Sequence, residues 1–159
     1  MIINKMMFKI FLIAFLTLTI SCGFKVIDKS MKDFSIKEIR TNGEKRINYK
    51  IKNNILSTAS SNNNHVLLIN LETKKNKEIK EKNIKNQTTK YQITINVNLK
   101  FNDINNKIKG ESNFSSTGDY LVVENYSNTL NNEKRLIETL TENISQRILN
   151  KINSKINDL

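Results

Sequence analysis

From Tyr91 to Phe101 the odd positions are apolar (Tyr91, Ile93, Ile95, Val97, Leu99, Phe101) and the even ones polar (Gln92, Thr94, Asn96, Asn98, Lys100). Successive side chains of an extended chain point to opposite faces. A period of two held over this whole run therefore specifies a long β-strand with one buried and one solvated face. Such a strand needs neighbours, and the flanking sequence offers them. Upstream, His65 opens Val66-Leu67-Leu68-Ile69-Asn70-Leu71, which reads as a buried strand running on into a charged extension. Downstream, Asn105-Asn106 suits a tight turn because Asn tolerates positive φ. Lys107 to Ser115 then returns as a strand with Ile108, Gly110, Ser112 and Phe114 on one face. The three make an antiparallel meander, a sheet type that can keep one face in water.

A shorter strand precedes them. Phe34 to Arg40 alternates through Phe34 and Ile36, then reaches Ile39 after a slip, and Asn42-Gly43 punctuates it. Ile47, Ile51 and Ile55, with Leu56 and Ala59 beside them, fall on one side of a helix beginning at Glu44, with Asn42 as its cap. Ser60 to Asn64 is a polar loop. Past Gly118-Asp119 a linking segment leads to a long helix from about Asn128. Its stripe is Ile137, Leu140, Ile144, Ile148, Ile152 and Ile156, flanked by Leu136 and Leu149. Glu133, Glu138 and Glu142 on its polar face favour packing on a sheet over lying on a membrane. The expected fold is α+β: strand-helix-strand-strand-strand-helix, two helices packed on one face of a four-stranded, mainly antiparallel sheet.

The amino end reads as an export signal. Lys5 and Lys9 precede an apolar-plus-Thr run from Ile10 to Ile20, and Ser21, the only cysteine, Cys22, and Gly23 follow. As a helix the run is about 17 Å long at roughly 1.5 Å per residue, short for a hydrocarbon slab about 30 Å thick. A cysteine placed just after the core points to the lipoprotein form of this signal. In that form the chain is cut between Ser21 and Cys22, and the Cys22 thiol carries a diacylglyceryl group. An uncleaved anchor, or an ordinary signal with a free thiol, are the other readings. Gly23, where enterobacterial lipoproteins kept in the inner membrane carry Asp, points to the outer membrane. The domains are then residues 1–21 as signal, 22–33 as lipidated tether and 34–159 as the folded part.

Removing residues 1–21 takes away two lysines and no acids, so the net charge falls from +11 to +9 over the remaining 138 residues. With Cys22 the sole cysteine, no internal disulfide can form, and Cys-based metal sites and a Cys-His nucleophile are excluded. A field of one sign attracts anionic partners. Export makes nucleic acid an unsuitable one, and anionic lipid suits the compartment better. His65 has no second His or Cys for a metal site and reads as structural. Asp103 with Glu111, and Glu133 with Glu138, are turn and helix-face residues rather than an acid/base pair. No serine has a nucleophile-elbow context and no glycine loop cradles phosphate. The chain reads as a non-enzyme with no cofactor.

Several features together are similar to the lipopolysaccharide-assembly lipoprotein family, LptE. These are Cys22-Gly23-Phe24, the element order, and a closing signature from Phe114-Ser115-Ser116 through Asn125-Tyr126-Ser127-Asn128 to Leu136, Leu140 and Ile144-Ser145-Gln146-Arg147-Ile148. The resemblance implies a lipoprotein at the periplasmic face of the outer membrane. It would plug and help assemble the lipopolysaccharide-translocating β-barrel LptD, and bind lipopolysaccharide. Glu72 to Lys90 carries seven lysines against three glutamates. Within it Lys74, Lys75, Lys77, Lys80, Lys82 and Lys85 are the candidates for lipopolysaccharide phosphates, at the ends of the central strands and a turn near Asn83 to Asn86. A merely solvated hairpin is the plainer reading. An auxiliary lipoprotein of an envelope ABC-type lipid transporter, or a structural envelope lipoprotein, are the alternatives for the whole chain.

Overall fold

The computed structural model describes residues 34–60 and 64–157. The expected signal, the Ser21–Cys22 cleavage point, lipidated Cys22 and the tether lie outside the described residues. Six elements follow in order: β1 (Phe34–Gly43), α1 (Lys45–Thr58), β2 (His65–Lys82), β3 (Thr88–Asp103), β4 (Lys109–Leu121) and α2 (Tyr126–Asn157). The strands form one sheet in the order β1-β2-β3-β4. β1 pairs with β2 in parallel, and β2–β3 and β3–β4 are antiparallel. The fold is the expected mixed, mostly antiparallel α+β arrangement.

The core follows from the period-two pattern. Leu67, Ile69 and Leu71 of β2, Ile93, Ile95, Val97, Leu99 and Phe101 of β3, and Phe114 and Tyr120 of β4 turn to one face. There they meet Ile47, Ile51 and Ile55 of α1 and Leu140, Ile144, Ile148, Leu149, Ile152 and Ile156 of α2. Burying each such side chain stabilises the fold by about 1.5–3 kcal/mol. The slip in β1 is a β-bulge: pairing with β2 jumps between Ile36 and Glu38, which returns Ile39 to the buried face.

Several boundaries differ from the sequence reading. β1 runs through Gly43, and the cap of α1 is Glu44, without a side-chain capping bond. Asn42 instead spends its Oδ1 on the Gly43 N–H (2.9 Å), and its carbonyl accepts from the buried Asn48 (3.0 Å). β4 continues six residues beyond Ser115, to Leu121, and α2 begins at Tyr126. Asn125 caps α2 through its Oδ1, which accepts from Asn128 N–H at 3.2 Å. In the β3–β4 turn the positive φ falls on Lys107 (58°), not on Asn105 or Asn106. Those two asparagines serve a different purpose, tying the turn to Asn64 and Asp103.

Asp103 organises that corner. Fully buried, it accepts from His65 Nδ1 (2.6 Å), from the Val66 and Asn105 N–H groups and from the Asn106 amide. Because the carboxylate can only accept, the His65 ring carries its hydrogen on Nδ1. Burial alone would raise the Asp103 pKa, but the four donors outweigh it and hold it below the usual carboxylate value. His65 is thus a structural staple between the start of β2 and the end of β3.

Candidate functional site at the hairpin end of the sheet

Phe34 pairs with His65 at one end of the sheet, while β2 and β3 run on to a turn at the other. The turn is self-sealing. Asn83 Oδ1 accepts from Lys85 and Gln87 N–H, and Asn86 supplies a left-handed φ of 58°. β4 and the start of α2 also reach this end, since Lys90 pairs with Leu121.

The candidate lysines gather here but divide between surfaces. Pleating turns Lys75 and Lys77 to the helix side, with Lys74 and Lys80 on the outer side. Lys82 and Lys85 sit at the tip. Several already hold partners: Lys74 pairs with Glu72 (3.2 Å), Lys77 with Glu133 (2.7 Å), Lys80 with Asp119, and Lys90 with Glu81 (2.6 Å). Lys82 bonds the Asn86 amide oxygen at 3.0 Å. Among the described residues, Lys75, Lys82 and Lys85 have no carboxylate in ion-pair range, so they are the cations left for an external anion.

Lys77 anchors a small polar and aromatic cluster that sequence reasoning missed. Its Nζ lies 4.5 Å from the Tyr91 ring centre and 5.3 Å from that of Tyr120, and the two rings stack at 5.6 Å. Glu133 accepts from both Lys77 and the Tyr120 hydroxyl (2.8 Å). Burial would raise the Glu133 pKa, but these donors outweigh it and lower it. Burial likewise opposes the Lys77 charge, and its bonds to Glu133 and Tyr120 raise its pKa above the ordinary value all the same. The available signal was register: Lys77, on the buried face of β2, had to find an acid on whichever helix crossed it.

Around these charges the surface is unusually apolar. Ile79, Ile84, Leu121, Val123, Tyr126 and Leu130 are all exposed, Ile84 completely. Cations beside exposed apolar side chains can hold an amphiphile with an anionic head. The outer sheet face differs. Thr94–Thr117, Asn98–Asn113 and Gln92–Asp119 side chains bond across strands, giving a polar surface. Among the described residues, no group of three or more His, Cys, Asp or Glu could hold a metal ion, and no helix is long and apolar enough to cross a membrane.

Comparison with solved structures finds the same fold in proteins described as lipoproteins. Rare lipoprotein B from Shewanella oneidensis is 12% identical, with a TM-score of 0.57 over 76% of this chain and 96% of that one. Lipoprotein B from Nitrosomonas europaea is 11% identical (TM-score 0.54; 76% and 83% covered). A minor lipoprotein from Acinetobacter baumannii is 18% identical (TM-score 0.51; 77% and 93% covered). No curated protein matches the sequence. The sequence model of the LptE family, described as lipopolysaccharide-assembly, matches residues 15–152. That span takes in all four strands and most of α2, and the chain therefore belongs to the LptE family of lipopolysaccharide-assembly lipoproteins.

Proposed function

We propose that this family member is anchored by acylated Cys22 to the periplasmic face of the outer membrane, partners the LptD barrel as its plug, and binds lipopolysaccharide at the hairpin end. The observation that carries the binding reading is the pairing of Lys75, Lys82 and Lys85 with exposed Ile79, Ile84 and Leu130 at one end of the sheet. Phosphates on a lipid headgroup accept charge-assisted bonds from lysine, and the acyl chains beside them need apolar cover. Phe34, where β1 begins, lies at the opposite end of the sheet from the hairpin. The polar outer face suits the polar lumen of a barrel.

Lys75, Lys82 and Lys85 are the residues to reverse. Lys77→Glu would set a second carboxylate against Glu133 and damage packing, which would confuse loss of fold with loss of binding. With the triple Lys75→Glu, Lys82→Glu and Lys85→Glu, binding to purified lipopolysaccharide should weaken tenfold or more. Wild-type affinity should fall steeply with salt, and the variant's much less. Unchanged affinity would remove the hairpin from the reading. Co-purification from detergent-solubilised envelopes tests the partner: a large outer-membrane barrel supports the proposal, while an inner-membrane lipid-transport complex would replace it with the transporter-auxiliary role.

A further inference from the structure

We propose that the edge of β2 from Lys74 to Lys82 is a docking edge at which an acidic, extended segment of a protein partner adds a further strand to the sheet. It shares Lys75 and Lys82 with the proposed lipopolysaccharide site but rests on the open backbone of β2 and not on that reading. Beyond Thr73, β2 has β3 on one side and, among the described residues, no strand on the other. The cause is local. Gly43, at φ +93°, turns β1 away into α1, and Glu44 N–H takes the last position, donating to the Thr73 carbonyl (3.4 Å) and hydroxyl (2.9 Å).

The Thr73 carbonyl faces the β1 side, and backbone groups alternate in direction along a strand. Lys75, Lys77 and Ile79 therefore turn both N–H and C=O to the open side. The register with β3 is regular from Lys74 to Ile79 and slips only after it, so the edge is straight where these groups stand. Other edges are blunted. β1 is broken by its bulge, and on β4 the Ser115 and Leu121 carbonyls accept from Arg147 (2.8 Å) and Asn132 (3.3 Å).

Charge selects the occupant. The edge carries Lys74, Lys75, Lys77, Lys80 and Lys82 against Glu78 and Glu81, a net +3. Lysines on an edge repel neutral strands and a second copy of the same edge. An acidic strand would instead meet Lys75 and Lys82, which have no carboxylate in ion-pair range among the described residues. A phosphate offers only acceptors and has no regular row of donors for the edge carbonyls, whereas a peptide backbone presents donors and acceptors at the strand repeat.

The test uses the full chain in detergent with an eight-residue peptide alternating Glu and Val as probe, and its Lys-Val counterpart as control. Amide exchange at Lys75, Lys77 and Ile79 should slow tenfold or more with the acidic peptide and stay unchanged with the basic one. Lys75→Pro removes an outward N–H that β3 does not use, so it should abolish binding while Lys74, Asn76 and Glu78 keep their protection. Should that variant lose its β2–β3 pairing, Lys75→Glu with Lys82→Glu decides instead, weakening binding at least tenfold. Unaltered exchange, equal response to both peptides, slowing at β1 or β4 instead, binding that survives the deciding variant, or a dimer without peptide would each overturn the proposal.

Discussion

Glu133 sits where a helix crosses the hairpin, and its carboxylate serves Lys77 and Tyr120 at once. Its folded pKa lies below the ordinary carboxyl value, so its contribution is complete above about pH 4.3 and is lost as pH falls through the depressed value. Glu133→Gln should cost about 1 kcal/mol at neutral pH, discounted for the partial exposure of Lys77. Chemical denaturation from pH 7 to pH 3 checks this: the gap between wild type and variant should narrow in acid, and a constant gap would count against the charge. Gly43 imposes a sharper constraint. A Cβ there would lie 1.9 Å from the Thr73 carbonyl oxygen, on a backbone at φ +93°. Gly43→Ala should lose more than about 2 kcal/mol, read as a lowered denaturation midpoint with an unchanged slope.

At the scale of elements, α2 is 32 residues long and holds the sheet by one stripe. Ile144 and Ile148 are fully buried within it. Ile144→Ala should destabilise by about 2–5 kcal/mol, whereas Ala at exposed Leu130 should change stability by less than about 0.5 kcal/mol; thermal melts of both variants make the comparison. That stripe, the long alternation of β3 and the four-residue spacing of α1 were legible because burial repeats at the period of each element. The end of β4 was not. Ser116-Thr117-Gly118-Asp119 is all small or polar and reads as a turn, yet it stays paired with β3. Small residues are required on its inner side because α2 packs closely: a Cβ on Gly118 would stand 2.6 Å from Leu136 Cδ1. The Asn42 cap failed for a similar reason, since parallel pairing with β2 held the chain extended through Gly43. At the hairpin the lysine cluster was visible in the sequence, but its division between two faces depended on register, and two of its acids, Asp119 and Glu133, came from β4 and α2.

At the scale of the whole molecule, no helix among the described residues is long and apolar enough to cross a membrane, and the proposed anchor is Cys22. One acyl chain holds a protein only marginally and two or more hold it firmly, at about 0.8 kcal/mol per buried methylene. With Cys22 as the anchor, the domain is expected to fold without those chains. Exporting residues 23–159 behind an ordinary cleavable signal, with Cys22→Ser at the junction, should yield a protein that enters the aqueous phase on detergent phase separation, while wild type enters the detergent phase. Mass spectrometry of wild type should show acyl mass on Cys22. The melting temperature of the domain and its affinity for lipopolysaccharide should match in the two forms, because the core side chains and the hairpin cations belong to the sheet and helices from Phe34 onward. Detergent partitioning of the Cys22→Ser form would locate the anchor elsewhere. A lower melting temperature would mean that the amino end contributes to the stability of the domain.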